Sequence, residues 1–331
     1  MRILRVFGLL VILAALACGY LFYRLEAPYQ GFQDPIYVDL PHGTTTDAIA
    51  TMLTRAGVVR SRFDFLLARM IHRGPVLQAG EYRFDRPASP REVLDRIARG
   101  DIFFLPLVVP EGRNMFEIGA DIERLGLFSA ARFVTAARDP KMIRDLDPQA
   151  PTLEGYLFPD TYRLNRRSTP ESVCRLMTAK FRDAWRNIGH AGDVHQTVTL
   201  ASLVEKEAKV PEDRPRIAAV FENRLRLGMK LDCDPTTIYA ALLDNRYRGT
   251  IYRSDLESDN PYNTYRHAGL PPGPIASPGI SSIQAVLHPA MSDALYFVLR
   301  PDGSGLHQFS KTQEAHMAAA EKYHRGLKKV R

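Results

Sequence analysis

Residues 197–210 read TVTLASLVEKEAKV, a stretch with helical periodicity that places two glutamates on different sides of one helix. At about 100° per residue, four apolar side chains share one stripe: Leu200, Leu203, Val204 and Ala208. Glu205 points away from this stripe, whereas Glu207 lies on it. Because an ionised carboxyl directed into apolar surroundings is costly, we expect the pKa of Glu207 to be raised.

A glutamate with a raised pKa can protonate a leaving oxygen near neutral pH, which makes Glu207 a candidate general acid. The structural alternative is a glutamate at a helix end that reaches solvent or forms an ion pair. The next predicted helix, at 213–227, has four apolar residues on its inner face: Ile217, Val220, Phe221 and Leu225. Arg224, among them, could pair with a buried carboxylate or bury only its stem. Asn223, at the edge of the stripe, is a candidate ligand contact.

The residues around these two helices predict a mixed α+β domain. Periodicity predicts further helices around 116–125, 130–137, 170–188 and 312–327. A strand is expected at 294–299, and residues 257–280, rich in Pro, Gly and Asn, predict a long binding loop. An apolar, β-branched run at 103–109 predicts a strand that joins the two halves of the chain. We therefore place a domain boundary between residues 107 and 108.

The N-terminal half predicts a small α+β module at residues 36–107. Its expected elements are a strand at 36–40, a helix after the N-capping threonines 44–46, a helix at 63–71, a strand at 81–84 and a helix at 90–99. This strand–helix–helix–strand unit resembles a LysM-type module. LysM modules bind glycans that contain N-acetylglucosamine, and the residues leave open whether this one binds glycan or acts as a spacer.

The N-terminus predicts a membrane anchor. A basic head with Arg2 and Arg5 precedes the uncharged run VFGLLVILAALACGYLFY at residues 6–23. At about 1.5 Å per residue this run covers roughly 27 Å, enough to cross a hydrocarbon core of about 30 Å. The basic head favours a cytoplasmic N-terminus. A cleaved signal peptide and a lipoprotein processing site at Cys18 are the alternatives; all three place the rest of the chain outside the cytoplasm, after a linker at residues 26–35.

Composition excludes several other classes of protein. The formal net charge is +7, but the charges are interspersed, with neither a clustered basic face nor an aromatic stacking pattern, so we predict no nucleic-acid partner. The three cysteines, Cys18, Cys174 and Cys233, do not form a C-x-x-C pair or a zinc-like cluster. We therefore predict no disulfide framework, no structural metal and no cofactor.

Six motifs resemble those of the endolytic murein transglycosylases, the MltG/YceG-like family. They are LASLVEKE at 200–207, VFENRLRLGMKL at 220–231, DPTTIY at 234–239, EGYLFPDTY at 154–162, PYNTY at 261–265, and GLPPGPI with SPG within 269–279. The similarity extends from the anchor to the last predicted helix. The sequence departs from the family pattern at two positions. Ala208 replaces the threonine that commonly follows the Glu-Lys-Glu triplet, and Cys233 stands where small polar residues are usual.

The resemblance implies non-hydrolytic cleavage of the β-1,4 bond between N-acetylmuramic acid and N-acetylglucosamine, which would terminate elongation of nascent glycan strands. Glu207, the second glutamate of the Glu-Lys-Glu triplet, corresponds to the family's essential acid. The substrate contacts that we predict are Asn223, Asp234, Thr236, Tyr262, Asn263 and Thr264. The implied location is the bacterial inner membrane, with one span and a periplasmic catalytic domain. Peptidoglycan is the implied partner, and peptidoglycan synthases are further candidate partners.

Two other functions remain open from the sequence. A muramidase acting by hydrolysis would need a second carboxylate about 5–9.5 Å from the first, for which Asp160 and Asp234 are the candidates. A non-enzymatic glycan-binding scaffold would use the LysM-like module alone. A serine nucleophile has little support, because Ser202 does not lie in a Gly-x-Ser-x-Gly elbow.

Overall fold

The computed structural model describes residues 2–72, 74–189 and 192–330, with the side chains of residues 2–4 and 327–330 left out. Met1 and the side chain of Arg2, both part of the predicted basic head, thus lie outside the described set. The chain divides into two compact units, Met1–Leu105 and Pro106–Arg331.

The first unit contains one apolar helix and a small α+β module. Its elements are α1 (Arg2–Glu26), β1 (Ile36–Leu40), α2 (Thr46–Arg55), α3 (Arg62–Ile71), β2 (Gly80–Phe84) and α4 (Pro90–Arg99). Strands β1 and β2 pair antiparallel, with Ile36 opposite Phe84. Side-chain caps start the helices where the sequence predicts them: Thr45 caps α2, and Ser89 forms a capping box with Glu92 on α4. The predicted strand–helix–helix–strand order is confirmed.

Helix α1 contains the predicted apolar run. The segment Arg5–Glu26 contains an 18-residue window with a mean hydropathy of 2.3 and is long and apolar enough to cross a membrane. Its last turn belongs to the module, since Leu25 is buried in the module's core and Arg24 forms an ion pair of 2.7 Å with Asp64.

The predicted linker, residues 26–35, begins with the last residue of α1, Glu26, and is otherwise irregular but attached to the module. Tyr29 pairs with Ala88 in an isolated bridge, and the Gly31 N–H donates to the Gly57 carbonyl at 2.8 Å. Gly57 has a φ of +71°, and a Cβ there would lie 2.8 Å from the Gly31 oxygen. Glycine is therefore required at position 57 by both conformation and space.

The second unit holds most of the helices. Its helices are α5 (Met115–Arg124), α6 (Ala130–Ala137), α7 (Pro170–Ile188), α8 (Val194–Glu207), α9 (Arg214–Arg226), α10 (Asp234–Leu243), α11 (Arg253–Leu256), α12 (Ile280–Leu287) and α13 (Gln313–Val330). Its strands are β3 (Leu105–Val109), β4 (Asp160–Leu164), β5 (Tyr296–Leu299) and β6 (His307–Ser310). Strand β3 pairs with β4, and β5 pairs antiparallel with β6.

Most elements of the second unit follow the sequence prediction. Helices α6 and α7 have the predicted bounds, and residues 257–279 contain neither helix nor strand, as expected for the long loop. The strand predicted from residue 294 begins at Tyr296. Helix α10 was not predicted, because it is largely buried and carries no clear polar face.

Helix α8 differs from its prediction in one respect that matters for the site. All residues from Thr197 to Val204 are buried, including the polar Thr199 and Ser202. Helices α9, α10 and α12 all pack against α8, so that it is enclosed on several sides. The single apolar stripe therefore does not describe how α8 is buried, and both glutamates of its last turn must be placed from the structure.

Candidate active site

Glu207 is the last residue of α8, and its half-buried side chain lines a cleft of about 360 Å³. The walls come from α9, from the segment that precedes α10, from the long loop, from β5 and from α13. The lining residues other than Glu207 are Phe221, Arg224, Leu231, Asp232, Cys233, Asp234, Tyr265, Tyr296, Phe297, Gln313, His316 and Met317. The position at a helix end lets the carboxyl reach an open cleft from an otherwise buried helix.

The pKa of Glu207 is raised, as the sequence predicts. Burial of the carboxyl is the main cause, and the negative charge of Asp234 adds to it. The hydrogen bond from the Cys233 thiol, with Sγ 3.2 Å from Oε1, and the positive charges of Lys209 and Arg224 act in the opposite direction. The net effect favours the protonated carboxyl, which is the form that can donate a proton.

Arg224 holds together the segments that form the cleft. Its Nε donates to the Leu295 carbonyl at 2.6 Å and its Nη1 to the Leu231 carbonyl at 2.9 Å. The guanidinium also lies over the Tyr296 ring, 5.1 Å from its centroid, and within 3.5 Å of an Asp232 oxygen. The structure shows neither of the two alternatives for Arg224: its head is buried and bonds mainly backbone carbonyls, and its carboxylate neighbour, Asp232, is exposed.

Asp234 and Tyr265 present polar groups to the cleft. Asp234 is exposed at the start of α10, and the Tyr265 hydroxyl donates to its Oδ1 at 2.7 Å. Asp232, which the sequence reasoning missed, lines the same cleft, and burial raises its pKa. Its spacing from Asp234 in Asp-Cys-Asp was the signal available in the sequence. Asp160, the other predicted second carboxylate, instead pairs with Lys180 at 2.8 Å and is not among the residues lining the cleft.

Three of the predicted substrate contacts are buried beneath the cleft surface. Thr236, Asn263 and Thr264 are each at most 1% exposed. The two threonine hydroxyls lie 2.8 Å apart and bond the Cys233 backbone. Tyr262, also buried, packs its ring 5.1 Å from that of Tyr239. The buried positions of these four residues indicate that they support the loop and do not contact the substrate directly.

Asn263 shows how the loop is held. Its Nδ2 donates to the backbone oxygens of Asp255, Leu256 and Ser258, at 3.3, 3.0 and 2.7 Å. Its Oδ1 accepts from the Tyr265 backbone N–H at 3.1 Å. The amide that the sequence suggests for a sugar contact is thus engaged in closing the turn on which Tyr265 lies.

Asn223 is likewise engaged with the protein. Its Nδ2 donates to the carbonyls of Ser292 and Ala294 at 2.8 and 3.1 Å, and its Oδ1 accepts from Arg226. These bonds fix the segment that leads into β5. The side chain is not among the residues lining the cleft.

Glu205 lies in a different environment from Glu207. Its side chain is 6% exposed and forms an ion pair of 3.2 Å with Arg214. Its Oε2 accepts from the Ser282 hydroxyl at 2.7 Å and from the Gly279 N–H at 3.0 Å. Glu205 does point away from the predicted stripe, but the side that it occupies is covered by the start of α12.

A raised pKa by itself does not identify the acid. Glu154, from the EGYLFPDTY motif, is fully buried, and burial raises its pKa to about 8. It accepts a hydrogen bond from the Met115 N–H at 2.9 Å and does not line the cleft. Access to the cleft distinguishes Glu207 from Glu154. Across the described residues, no group of three His, Cys, Asp or Glu side chains could hold a metal ion.

Comparison with known proteins agrees with the motifs. The sequence pattern of the YceG-like family matches residues 38–322. An endolytic murein transglycosylase from Bacillus subtilis is 32% identical over 320 residues, which is 90% of this chain and 88% of the relative. One from Streptococcus pneumoniae is 31% identical over 80% of this chain and 54% of its own length. A crystal structure of a YceG-like protein from Listeria monocytogenes, 32% identical, matches with a TM-score of 0.55 over 87% of this chain and 99% of that one. This chain belongs to the YceG-like family.

Proposed function

We propose that the protein is an endolytic lytic transglycosylase that cleaves peptidoglycan glycan strands between N-acetylmuramic acid and N-acetylglucosamine. The single observation that carries this proposal is Glu207, a carboxyl with a raised pKa that faces an open cleft. The names of relatives that match most of the chain agree with it.

One carboxyl is sufficient for this reaction. Protonated Glu207 donates its proton to the glycosidic oxygen as the bond to the anomeric carbon of N-acetylmuramic acid breaks. The resulting carboxylate then accepts the proton of the muramoyl 6-hydroxyl, whose oxygen attacks that carbon. A 1,6-anhydro ring forms, and Glu207 is protonated again, so that no water is consumed. Asp234 and Tyr265 are the proposed polar contacts for the sugar, since both present groups to the cleft.

Hydrolysis is the second candidate, because Asp232 and Asp234 line the same cleft as Glu207. In hydrolysis, one of these carboxylates would activate water. Digestion of purified sacculi by the full-length protein, followed by mass spectrometry of the products, separates the two reactions. We expect muropeptides one water lighter than the hydrolysed ones; products of hydrolysed mass would establish a muramidase, and no products would favour the scaffold.

The module in the first unit is proposed to be LysM-like and to contact glycan. Its strand–helix–helix–strand order supports the assignment. A groove of about 610 Å³ lies between the turn after β1 and the segment before β2, with Thr44, His42 and Gln78 beside Pro41 and Val76 in its lining. Polar groups next to exposed apolar ones suit a sugar. Titration of chitin oligosaccharides into wild-type protein and into Thr44→Ala tests this proposal. We expect weaker binding by the variant, and equal affinities would favour the role of the module as a spacer.

The catalytic unit is proposed to act outside the cytoplasm, anchored in the inner membrane by α1. The apolar run and the basic residues before it support this topology. There the protein would meet nascent strands, terminate their elongation and work beside the peptidoglycan synthases. A reporter that is active only in the cytoplasm, fused after Arg331, is expected to be silent, and a signal from it would contradict the topology.

A further inference from the structure

Cys233 lies in the cleft wall in direct contact with Glu207. Its Sγ is 3.2 Å from Oε1 of Glu207, and the residue is 2% exposed. Hydrogen bonds fix its backbone, because its N–H donates to Thr264 Oγ1 at 3.0 Å and its carbonyl accepts from Thr236 Oγ1 at 2.6 Å. The buried threonines therefore determine where the thiol lies relative to the carboxyl.

We propose that Cys233 is a positioning residue whose thiol donates a hydrogen bond to Glu207, orients the carboxyl and tunes the pH range over which it keeps its proton. This inference rests on the proposed function, in which Glu207 is the acid. It assigns no covalent step to the thiol.

The strength of the thiol as a hydrogen-bond donor determines how far it lowers the pKa of Glu207. Burial raises the pKa of Cys233 well above its usual value, so the group remains S–H and can donate to the carboxylate. A thiol is a weak donor, whereas a hydroxyl makes a shorter and stronger bond to a carboxylate. A stronger bond would stabilise the anion and lower the pKa of Glu207. The thiol orients the carboxyl but lowers the pKa of Glu207 less than a hydroxyl would.

Other charged and titratable groups also face Glu207. From the segments around the cleft these are Asp232, Asp234, Lys209, Arg224, Tyr265 and His316. Substitution of Cys233 leaves all of them in place. A change in the pH dependence of cleavage in Cys233 variants therefore reports on the thiol itself.

The test is the pH dependence of kcat/KM for glycan cleavage, from about pH 4 to about pH 9, because cleavage requires protonated Glu207. In Cys233→Ser the stronger donor is expected to move the falling limb to lower pH. In Cys233→Ala the lost donor is expected to move it to higher pH. Each shift is expected to be roughly half a unit to one unit. Cys233→Thr, a second hydroxyl variant, is expected to shift the limb in the same direction as Cys233→Ser. It provides the test if the serine variant folds poorly.

Cys174→Ala is the matched control, since Cys174 is buried in α7 and does not line the cleft. Its pH limb is expected to equal that of the wild type. An unchanged limb in the Cys233 variants would overturn the positioning role, whatever their melting temperatures, because lost packing lowers the folded fraction without moving the limb. If wild-type protein cleaves glycan and Glu207→Gln does not, an unchanged limb in the Cys233 variants contradicts only the role of Cys233 and leaves the proposed function intact. If wild-type protein does not cleave glycan, the proposed function fails and the inference fails with it.

Discussion

Glu205 and Glu207 lie in the same turn of α8 but in opposite kinds of surroundings. Glu205 accepts hydrogen bonds from Ser282 and Gly279 and pairs with Arg214, so its charge is compensated. Glu207 has a thiol as its close donor, and burial raises its pKa. The same side chain is thus an ion-pair partner of Arg214 at position 205 and the proposed proton donor at position 207. The partners that surround each carboxyl decide its role.

The largest expected effect is that of Glu207→Gln on cleavage. Glutamine keeps the shape of the side chain but cannot exchange the proton, so we expect glycan cleavage to fall by about 10²–10⁴-fold or more. The melting temperature is expected to be unchanged or slightly higher, because the cost of burying an ionisable carboxyl group disappears. Digestion of sacculi together with a thermal unfolding curve measures both.

Glu212→Gln is the control for that substitution, because Glu212 is exposed and does not line the cleft. It is expected to match the wild type in both measurements. Strong residual cleavage by Glu207→Gln would mean that another carboxylate of the cleft, Asp232 or Asp234, supplies the proton.

Glu205→Gln is expected to show the reverse pattern, a loss of stability with cleavage largely kept. Removing one charge of a buried ion pair leaves Arg214 with only the exposed Glu111, at 3.7 Å, as a carboxylate partner, at a cost of up to about 3 kcal/mol in the free energy of unfolding. Chemical denaturation gives this quantity, and cleavage well below the melting temperature is expected to stay within a few-fold of the wild type. A cleavage loss equal to that of Glu207→Gln at full stability would remove the distinction between the two glutamates.

Asn263→Ala extends the comparison to the loop. Three backbone carbonyls would lose their donor, so we expect the free energy of unfolding to fall by about 1–3 kcal/mol, with cleavage falling in proportion to the folded fraction. This expectation replaces the direct sugar contact suggested by the sequence. Unchanged stability with a large loss of cleavage would restore that contact.

The smallest expected effect is that of Tyr265→Phe. It removes the hydroxyl that bonds Asp234 at the cleft but keeps the ring. We expect cleavage to fall by up to about 10-fold, the worth of one hydrogen bond, with the melting temperature unchanged. Tyr247→Phe, at an exposed position away from the cleft, is the control. Equal cleavage by both variants would exclude the Tyr265 hydroxyl from substrate binding.

Local signals in the sequence determined most of the elements. Caps, Pro and Gly positions and apolar periodicity located α4, α6, α7 and the order of the first unit, because these signals act within a few residues. They also singled out Glu207, at the end of a periodic helix and in a Glu-Lys-Glu triplet. The apolar run of α1 could be found in the same way, since length and composition are sufficient for it.

Only the tertiary structure decided which polar residues face the cleft. Asn223, Thr236, Asn263 and Thr264 belong to polar motifs, yet their side chains bond the protein's own backbone, and Asp232 was overlooked although it lines the cleft. The physical reason is that a sequence shows which groups can donate or accept hydrogen bonds. Which partner each group meets depends on segments far apart in the chain that fold together around it.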